Sequence, residues 1–292
     1  MDIASLNAFL AVARDSSFSK ASHRLHITQP AVSKRVASLE QELGVALFNR
    51  VAKVVSLTEA GKQLLPKARD LVNQATELHK IATNLSDEIK GNLSVSIAHH
   101  IGLYRMQSIL REFNLSHPLV NLDIRFEDSE QAFASVEQGD IEFGVITLPK
   151  NLPSNIGAEV IWRDELRVVV ANDHPLAEQQ ICHVKDLANF RCVLPTKETE
   201  THQIMNRLFE KHQLELTTHI ETNSLETLKM MVGARLGWSL LPTSMLTNQD
   251  LAILPIEEEL SRKLGLVFHN KRTSSNAANA LKELIRISAR VS

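Results

Sequence analysis

From Leu64 onward the apolar residues fall at Leu64, Ala68, Leu71, Ala75, Leu78, Ala82, Leu85 and Ile89, in steps of 4, 3, 4, 3, 4, 3 and 4. A period of 3.5 held over three heptads is the seam of a coiled coil, whereas a helix lying on its own domain drifts toward 3.6 and shows a broader stripe. The pattern therefore asks for one long helix and a second copy of it to cover the seam. Alanine at alternate positions implies that the two helices approach closely. Pro66 falls near the start and should bend the helix or limit its first turn. Taken as residues 59–90 and ended by Gly91, this helix separates a short head, 1–58, from a long body, 91–292, and makes the protein a multidomain homodimer at least.

The head reads as a run of short helices. Leu6, Phe9, Leu10 and Ala13 give a first helix one apolar face. Ser16 to Ser19 interrupt it, and Ser17 or Ser19 is placed to cap a second helix, Lys20 to Leu25. After the connector His26-Ile27, Thr28 is a good N-cap, Pro30 sits where its missing N–H costs nothing, and Gly44 stops a third helix that opens at Gln29 and runs to about Leu43. Its inner stripe is Val32, Val36, Leu39 and Leu43. Its other face carries Gln29, Ser33, Lys34, Arg35 and Ser38, side chains that meet base edges and phosphates when a helix lies in a major groove. A plain three-helix bundle with a solvated charged face has the same pattern. The next dozen residues favour the groove. β-Branched residues from Val51 to Leu57 suggest a small hairpin, with Arg50 and Lys53 beside the backbone of bound DNA, and Thr58 caps the next helix.

Phe18-Ser19-Lys20-Ala21-Ser22, Ile27 to Ser33, Leu39-Glu40, Leu43-Gly44, Leu47-Phe48-Asn49-Arg50 and Leu57-Thr58-Glu59-Ala60-Gly61 together resemble the LysR-type transcriptional regulators in order and spacing. The resemblance implies a winged helix-turn-helix that binds double-stranded DNA at a site with dyad character. Gln29, Pro30, Ser33 and Lys34 then face the groove, Arg50 and Lys53 serve the wing, and the capping Thr28 and the outward Arg35 complete the candidate DNA-binding set. Lysine at 53 departs from the family's usual arginine, keeping the charge and losing the bidentate fork. The resemblance further implies an activator that also controls its own gene, contact with RNA polymerase, and assembly as a homodimer or homotetramer.

In the body, strand patterns (Leu93 to Ala98, Asn121 to Phe126, Glu142 to Thr147, Leu166 to Ala171, Cys192 to Leu194, Leu264 to His269) alternate with helical ones (Tyr104 to His117, Glu130 to Gln138, His202 to His212, Leu225 to Arg235, Ala277 to Ala289), which predicts α/β architecture. Asp173 to Ala177, Asn223 to Thr227 and Leu236 to Pro242 resemble the same family, whose effector domain has two αβ lobes like those of periplasmic binding proteins. That implies lobe I at about 91–162 and 268–292, lobe II at about 163–267, and a small-molecule effector between them. Ligands in such sheets sit at the carboxyl ends of strands beside helix N-termini, which favour anions. The candidates there are His99, His100, Ser129, Thr147 and Thr196, for a small anionic metabolite of unknown identity. Ser129 and Thr147 equally fit helix and turn caps, and for Ser129 the cap is the stronger reading. The two histidines stand where the family often has hydroxyl residues, which suggests a different ligand or sensitivity to pH. Arg235 replaces a small residue of the family at the cleft's far wall.

Charge and motifs bound the alternatives. Residues 1–62 hold eight Lys and Arg against five Asp and Glu, while the remainder is acidic, so a basic head sits on an acidic body. With 43% hydrophobic and 23% charged residues the chain is not of disordered type. Cys182 and Cys192 match no zinc or redox spacing and read as buried thiols in a reducing compartment. No signal peptide and no apolar run near the ~20 residues of a membrane helix is visible, so the cytoplasm is expected, with no membrane contact. A soluble transport receptor shares the lobed body but lacks the head. An α/β enzyme is the third reading, and no Walker A, GxGxxG, GxSxG or HExxH motif supports it. No cofactor or metal is expected.

Overall fold

A computed structural model describes residues 1–51, 54–86, 88–246 and 250–291. The chain divides into two compact units, Met1–Ser86 and Asp87–Ser292.

The first unit opens with α1 (Ile3–Asp15), capped by Asp2, whose carboxylate accepts from Ser5 N–H at 2.6 Å. Helix α2 (Phe18–Arg24) is capped by Ser17 and begins two residues earlier than its sequence suggests. The reason is Phe18, which turns into the core and meets Phe48 edge-on at 5.7 Å, as Phe9 does at 5.5 Å. Helix α3 (Gln29–Leu43) keeps its expected limits: Thr28 Oγ1 accepts from Ala31 N–H, Pro30 lies in the first turn, and Gly44 closes the helix at φ 70°. Val32, Val36 and Leu39 are buried, but Leu43 is 38% exposed, so the inner stripe stops one turn early.

The link from α3 to the hairpin is pinned by side chains. Glu40 Oε1 accepts from Leu47 N–H at 2.7 Å and from Phe48 N–H at 3.3 Å. Strands β1 (Phe48–Val51) and β2 (Val54–Leu57) then pair antiparallel, Phe48 opposite Leu57. Thr58 donates to the Ala46 carbonyl at 2.6 Å and accepts from Gly61 N–H, capping α4 (Glu59–Asn84). Pro66 lies inside α4, which continues past it.

Helix α4 corrects the seam. Ala68 is buried in the core of the first unit, and Leu64, Leu65 and Val72 pack against that core. Only further along do the apolar residues lie open: Leu71 at 40%, Leu78 at 71% and Leu85, the C-cap, at 85%. Gly91 does not end the helix; it opens a strand, and Ile89 packs against the core of the second unit. Periodicity marks the apolar face of a helix but not which surface covers each stretch of it.

The second unit begins with β3 (Gly91–Ala98), α5 (His99–Arg105), α6 (Gln107–Ser116), β4 (Val120–Glu127), α7 (Ser129–Gln138) and β5 (Phe143–Thr147). Strand β3 lies between β4 and β5, parallel to both. The helix expected from Tyr104 to His117 is two helices, broken at Met106, which is fully buried. The long β6 (Ile156–Ala171) leads into α8 (Val184–Leu187), β7 (Val193–Leu194), α9 (Glu200–Lys211), β8 (Ile220–Glu221), α10 (Leu225–Gly233), β9 (Ser239–Pro242) and β10 (Leu251–Ile253). Strand β11 (Leu260–His269) returns antiparallel to β6, and α11 (Asn276–Val291) closes on the first lobe through Ala277, Ala278, Leu281 and Ile285. Trp162, Leu264 and Leu266 belong to the first lobe's core, Leu166 and Leu260 to the second's. The chain therefore passes between lobes within β6 after Trp162 and within β11 before Leu264, ahead of the expected position 268. Both cysteines are buried free thiols, their pKa values pushed up to about 11 by burial. Trp238, fully buried, donates Nε1–H to the Leu187 carbonyl at 3.0 Å.

The register of β6 against β11 shifts between Leu264 and Gly265. A Cβ at Gly265 would collide with the Glu159 carbonyl oxygen. Gly265→Ala should therefore destabilise the second unit by roughly 1–3 kcal/mol, read as a lowered thermal midpoint. An unchanged midpoint would show that the crossing strands adapt freely.

Candidate functional sites

Two surfaces concentrate functional chemistry. The first is the outer face of α3. Because Val32, Val36 and Leu39 face the core, the 3.6 period turns the remaining positions outward. Thr28, Gln29, Pro30 and Lys34 are exposed, and Ser33 and Arg35 are partly so. The face is polar, carries two cations and begins at a capped helix N-terminus. Arg50 lies in β1, opposite Val55. Lys53 lies outside the described residues, and no side-chain position is described for Arg50.

The second is a cavity of about 520 Å³ between the two lobes of the second unit. Its position follows from topology. With β3 between β4 and β5, the connections leave the sheet in opposite directions, and the carboxyl ends of these strands open a crevice. Ala98, His99 and His100 follow β3, Glu127 to Glu130 follow β4, and Thr147 ends β5. From the other lobe, Pro195 follows β7, Thr199 to Thr201 open α9, and Thr222 to Glu226 run from β8 into α10.

The expected residues meet in part. Thr147 Oγ1 lies 3.4 Å from His100 Nε2, and Ser129 Oγ accepts from Thr147 N–H at 3.1 Å. Ser129 therefore ties α7 to β5 instead of capping α7, where Asp128 holds the cap position. His99 is exposed and stacks on Phe126, ring centres 6.3 Å apart. Thr196 does not line the cavity; its N–H donates to Asn223 Oδ1 at 3.0 Å. Arg235 also lies off the wall, ion-paired to Asp173.

Several residues were not singled out by sequence. Asn223 Nδ2 donates across the cleft to Asp128 Oδ2 at 2.9 Å, and Tyr104 OH lies 3.4 Å from Glu226 Oε1. At the base, Arg262 on β11 donates from Nε to Asp164 Oδ2 at 2.9 Å and from Nη1 to Thr201 Oγ1 at 2.7 Å. Arg105 reaches the other Asp164 oxygen at 3.4 Å and lies 5.3 Å over the Trp162 ring. Burial pulls against the charge of Arg262, and Asp164 opposes that pull. An arginine in a largely apolar strand was the available sequence signal, because buried charges need partners. Among the described residues there is no group of three or more His, Cys, Asp or Glu side chains placed to hold a metal, and no helix long and apolar enough to cross a membrane.

Burial pushes the His100 pKa well below its ordinary value, helped by the positive charges of Arg262 and Arg105 and by His99. The ring in the cleft is thus neutral.

A reading head of three helices and a hairpin, joined by a long helix to a two-lobed α/β body with a polar crevice, is the build of a ligand-responsive transcription regulator. Comparison with known proteins agrees. Residues 3–62 match the bacterial regulatory helix-turn-helix protein, lysR family, and residues 86–290 match the LysR substrate binding domain. The chain belongs to the LysR family of transcription regulators; its relatives are regulators, not enzymes. It is 28% identical to the RuBisCO operon transcriptional regulator of Allochromatium vinosum over 287 residues, covering 96% of this chain and 94% of that one. Among solved structures it is similar to a full-length OxyR variant from Pseudomonas aeruginosa, with a TM-score of 0.69 at 23% identity, covering 100% of this chain and 95% of that one. Full-length CbnR in complex with its target DNA is similar too, with a TM-score of 0.65 at 21% identity, covering 99% and 100%.

The neutral His100 sets a pH dependence. Below about pH 6.5 the unfolded chain protonates this residue while the folded one does not, so stability falls as pH drops from there toward the depressed folded value. Thermal midpoints measured from about pH 7.5 down to about pH 5.5 should decline, and His100→Gln should flatten the decline. It should not abolish it, because burial also lowers the pKa values of His174 and His202. An identical decline in the variant would place His100 in contact with water.

Proposed function

We propose that the protein regulates transcription by laying α3 in the major groove of a dyad-type DNA site. In this reading it pairs with a second copy through α4 and responds to a small metabolite with an anionic group held in the lobe cleft. One observation carries it: the apolar side of α3 is locked in the head's own core, and the side left free bears Thr28, Gln29, Ser33, Lys34 and Arg35. Polar side chains at the start of a helix are what reading base edges requires, and the cations supply phosphate contacts. The wing residues Arg50 and Lys53 are assigned to the DNA backbone on the family resemblance.

Pairing through α4 is supported by its open apolar residues Leu71, Leu78 and Leu85, with Ala75 and Ala82 between them. Leu64 and Ala68 drop out of that set because the head's core uses them. The resemblance also supports activation through RNA polymerase, control of its own gene, assembly beyond the dimer, a cytoplasmic location and no cofactor. In the cleft, His100, Ser129 and Thr147 are the assigned effector contacts, with His99 at the mouth, while Thr196 acts through Asn223.

Band-shift titration on the protein's own upstream DNA tests the DNA reading. Gln29→Ala and Ser33→Ala should each reduce discrimination between specific and random sequence by about 1–3 kcal/mol, while Lys34→Ala weakens all sequences alike and lowers the salt slope by about 1. Retained discrimination in both groove variants would remove α3 from the groove. Sedimentation of Leu78→Asp should show monomers; an intact dimer would overturn the pairing through α4.

A further inference from the structure

The charge on the cleft wall narrows the effector beyond an anionic metabolite. Five carboxylates line the cavity: Glu127, Asp128 and Glu130 from the first lobe, Glu200 and Glu226 from the second. Glu200 is already met by Arg207 at 2.6 Å; the one guanidinium on the wall itself is Arg262, and Asp164 already holds its charge. Three helices of the wall, α7, α9 and α10, would ordinarily favour an anion at their N-termini. Each carries its own carboxylate in the first turn, Glu130, Glu200 and Glu226, so the partial positive charge is met from within. Burial pushes the Glu130 pKa up, and the nearby Asp128 and Glu198 carboxylates add to that push. A simple dianion entering here meets repulsion strengthened by exclusion of water.

The base of the cavity makes the opposite demand. The Arg262 side chain is 4% exposed, and its Nη2 has no hydrogen-bond partner among the described residues. A buried guanidinium with an unmade bond is destabilising, and a ligand carboxylate is the group that best completes it. One molecule satisfies both demands.

We propose that the effector is a basic amino acid or a close analogue, with a carboxylate at one end and a protonated amine or guanidine at the other. Its carboxylate completes Arg262 at Nη2, and its cationic groups lie among Glu127, Asp128 and Glu226. The proposal rests on the cleft being the effector site. Binding competes with the Asp128–Asn223 and Tyr104–Glu226 contacts that now bridge the lobes, so occupancy is coupled to their spacing.

Thermal unfolding of the full-length protein with L-lysine, L-arginine, cadaverine and glutarate, each at about 10 mM, separates the possibilities. L-lysine or L-arginine should raise the midpoint by about 5 °C, while cadaverine and glutarate, each lacking one of the two groups, shift it by less than about 1 °C. In calorimetry Glu226→Gln and Glu127→Gln should each weaken the basic amino acid about tenfold. These two residues carry the test because Arg262 is buried and its replacement endangers folding. Stabilisation by glutarate that Thr147→Ala weakens would overturn the basic-amino-acid assignment and leave the cleft as the site. Stabilisation by L-lysine or L-arginine that neither glutamate variant nor Asn223→Ala alters would overturn both. No shift with any of the four compounds would overturn the assignment.

Discussion

The effector unit depends on the antiparallel pairing of β6 with β11 and on the Asp164–Arg262 ion pair buried within it. Both lobes hang from these two strands. The pair gathers contacts from each side: Arg105 at the end of α5 reaches Asp164, and Thr201 in the first turn of α9 accepts from Arg262. Removing either partner leaves an uncompensated buried charge, which costs more than the pair itself contributes. The same pair stands at the base of the cavity. A ligand that changes how Arg262 is bonded therefore acts on the strands about which the lobes are set, and a difference in affinity between two lobe spacings is all that a population shift needs.

Local chemistry was legible in the sequence, and long-range coverage was not. Thr28, Pro30 and Gly44 set both ends of α3 because capping involves atoms a few residues apart. Thr58 announced α4 for the same reason. The seam misled because Leu64 and Ala68 look no different from Leu71 and Leu78 in a period count. Only the fold shows that the former pair is taken by the head's core, and that Ile89 serves the lobed unit. The helix expected from Tyr104 to His117 is interrupted at the buried Met106, where the sequence carries no glycine or proline to mark a break.

The cleft shows the same division. His100, Ser129 and Thr147 were found by asking which residues come after parallel strands, a rule that needs no tertiary knowledge. Arg262 and Asp164 are 98 residues apart, and Asp128 and Asn223 are 95 apart. No local pattern brings such residues together. Their types carried a hint that went unused: an arginine inside a buried strand must have a partner, and only the fold shows that the partner is Asp164.

Because Leu64, Leu65, Ala68 and Val72 of α4 pack with the head's core, the smallest piece of this chain able to hold the reading head's shape extends at least through Val72. A fragment cut after the hairpin would expose apolar side chains of α1 that α4 now shelters. Folding of the head and formation of the first turns of α4 are thus bound to one another. A lesion in those first turns of α4 would be felt as loss of the head itself.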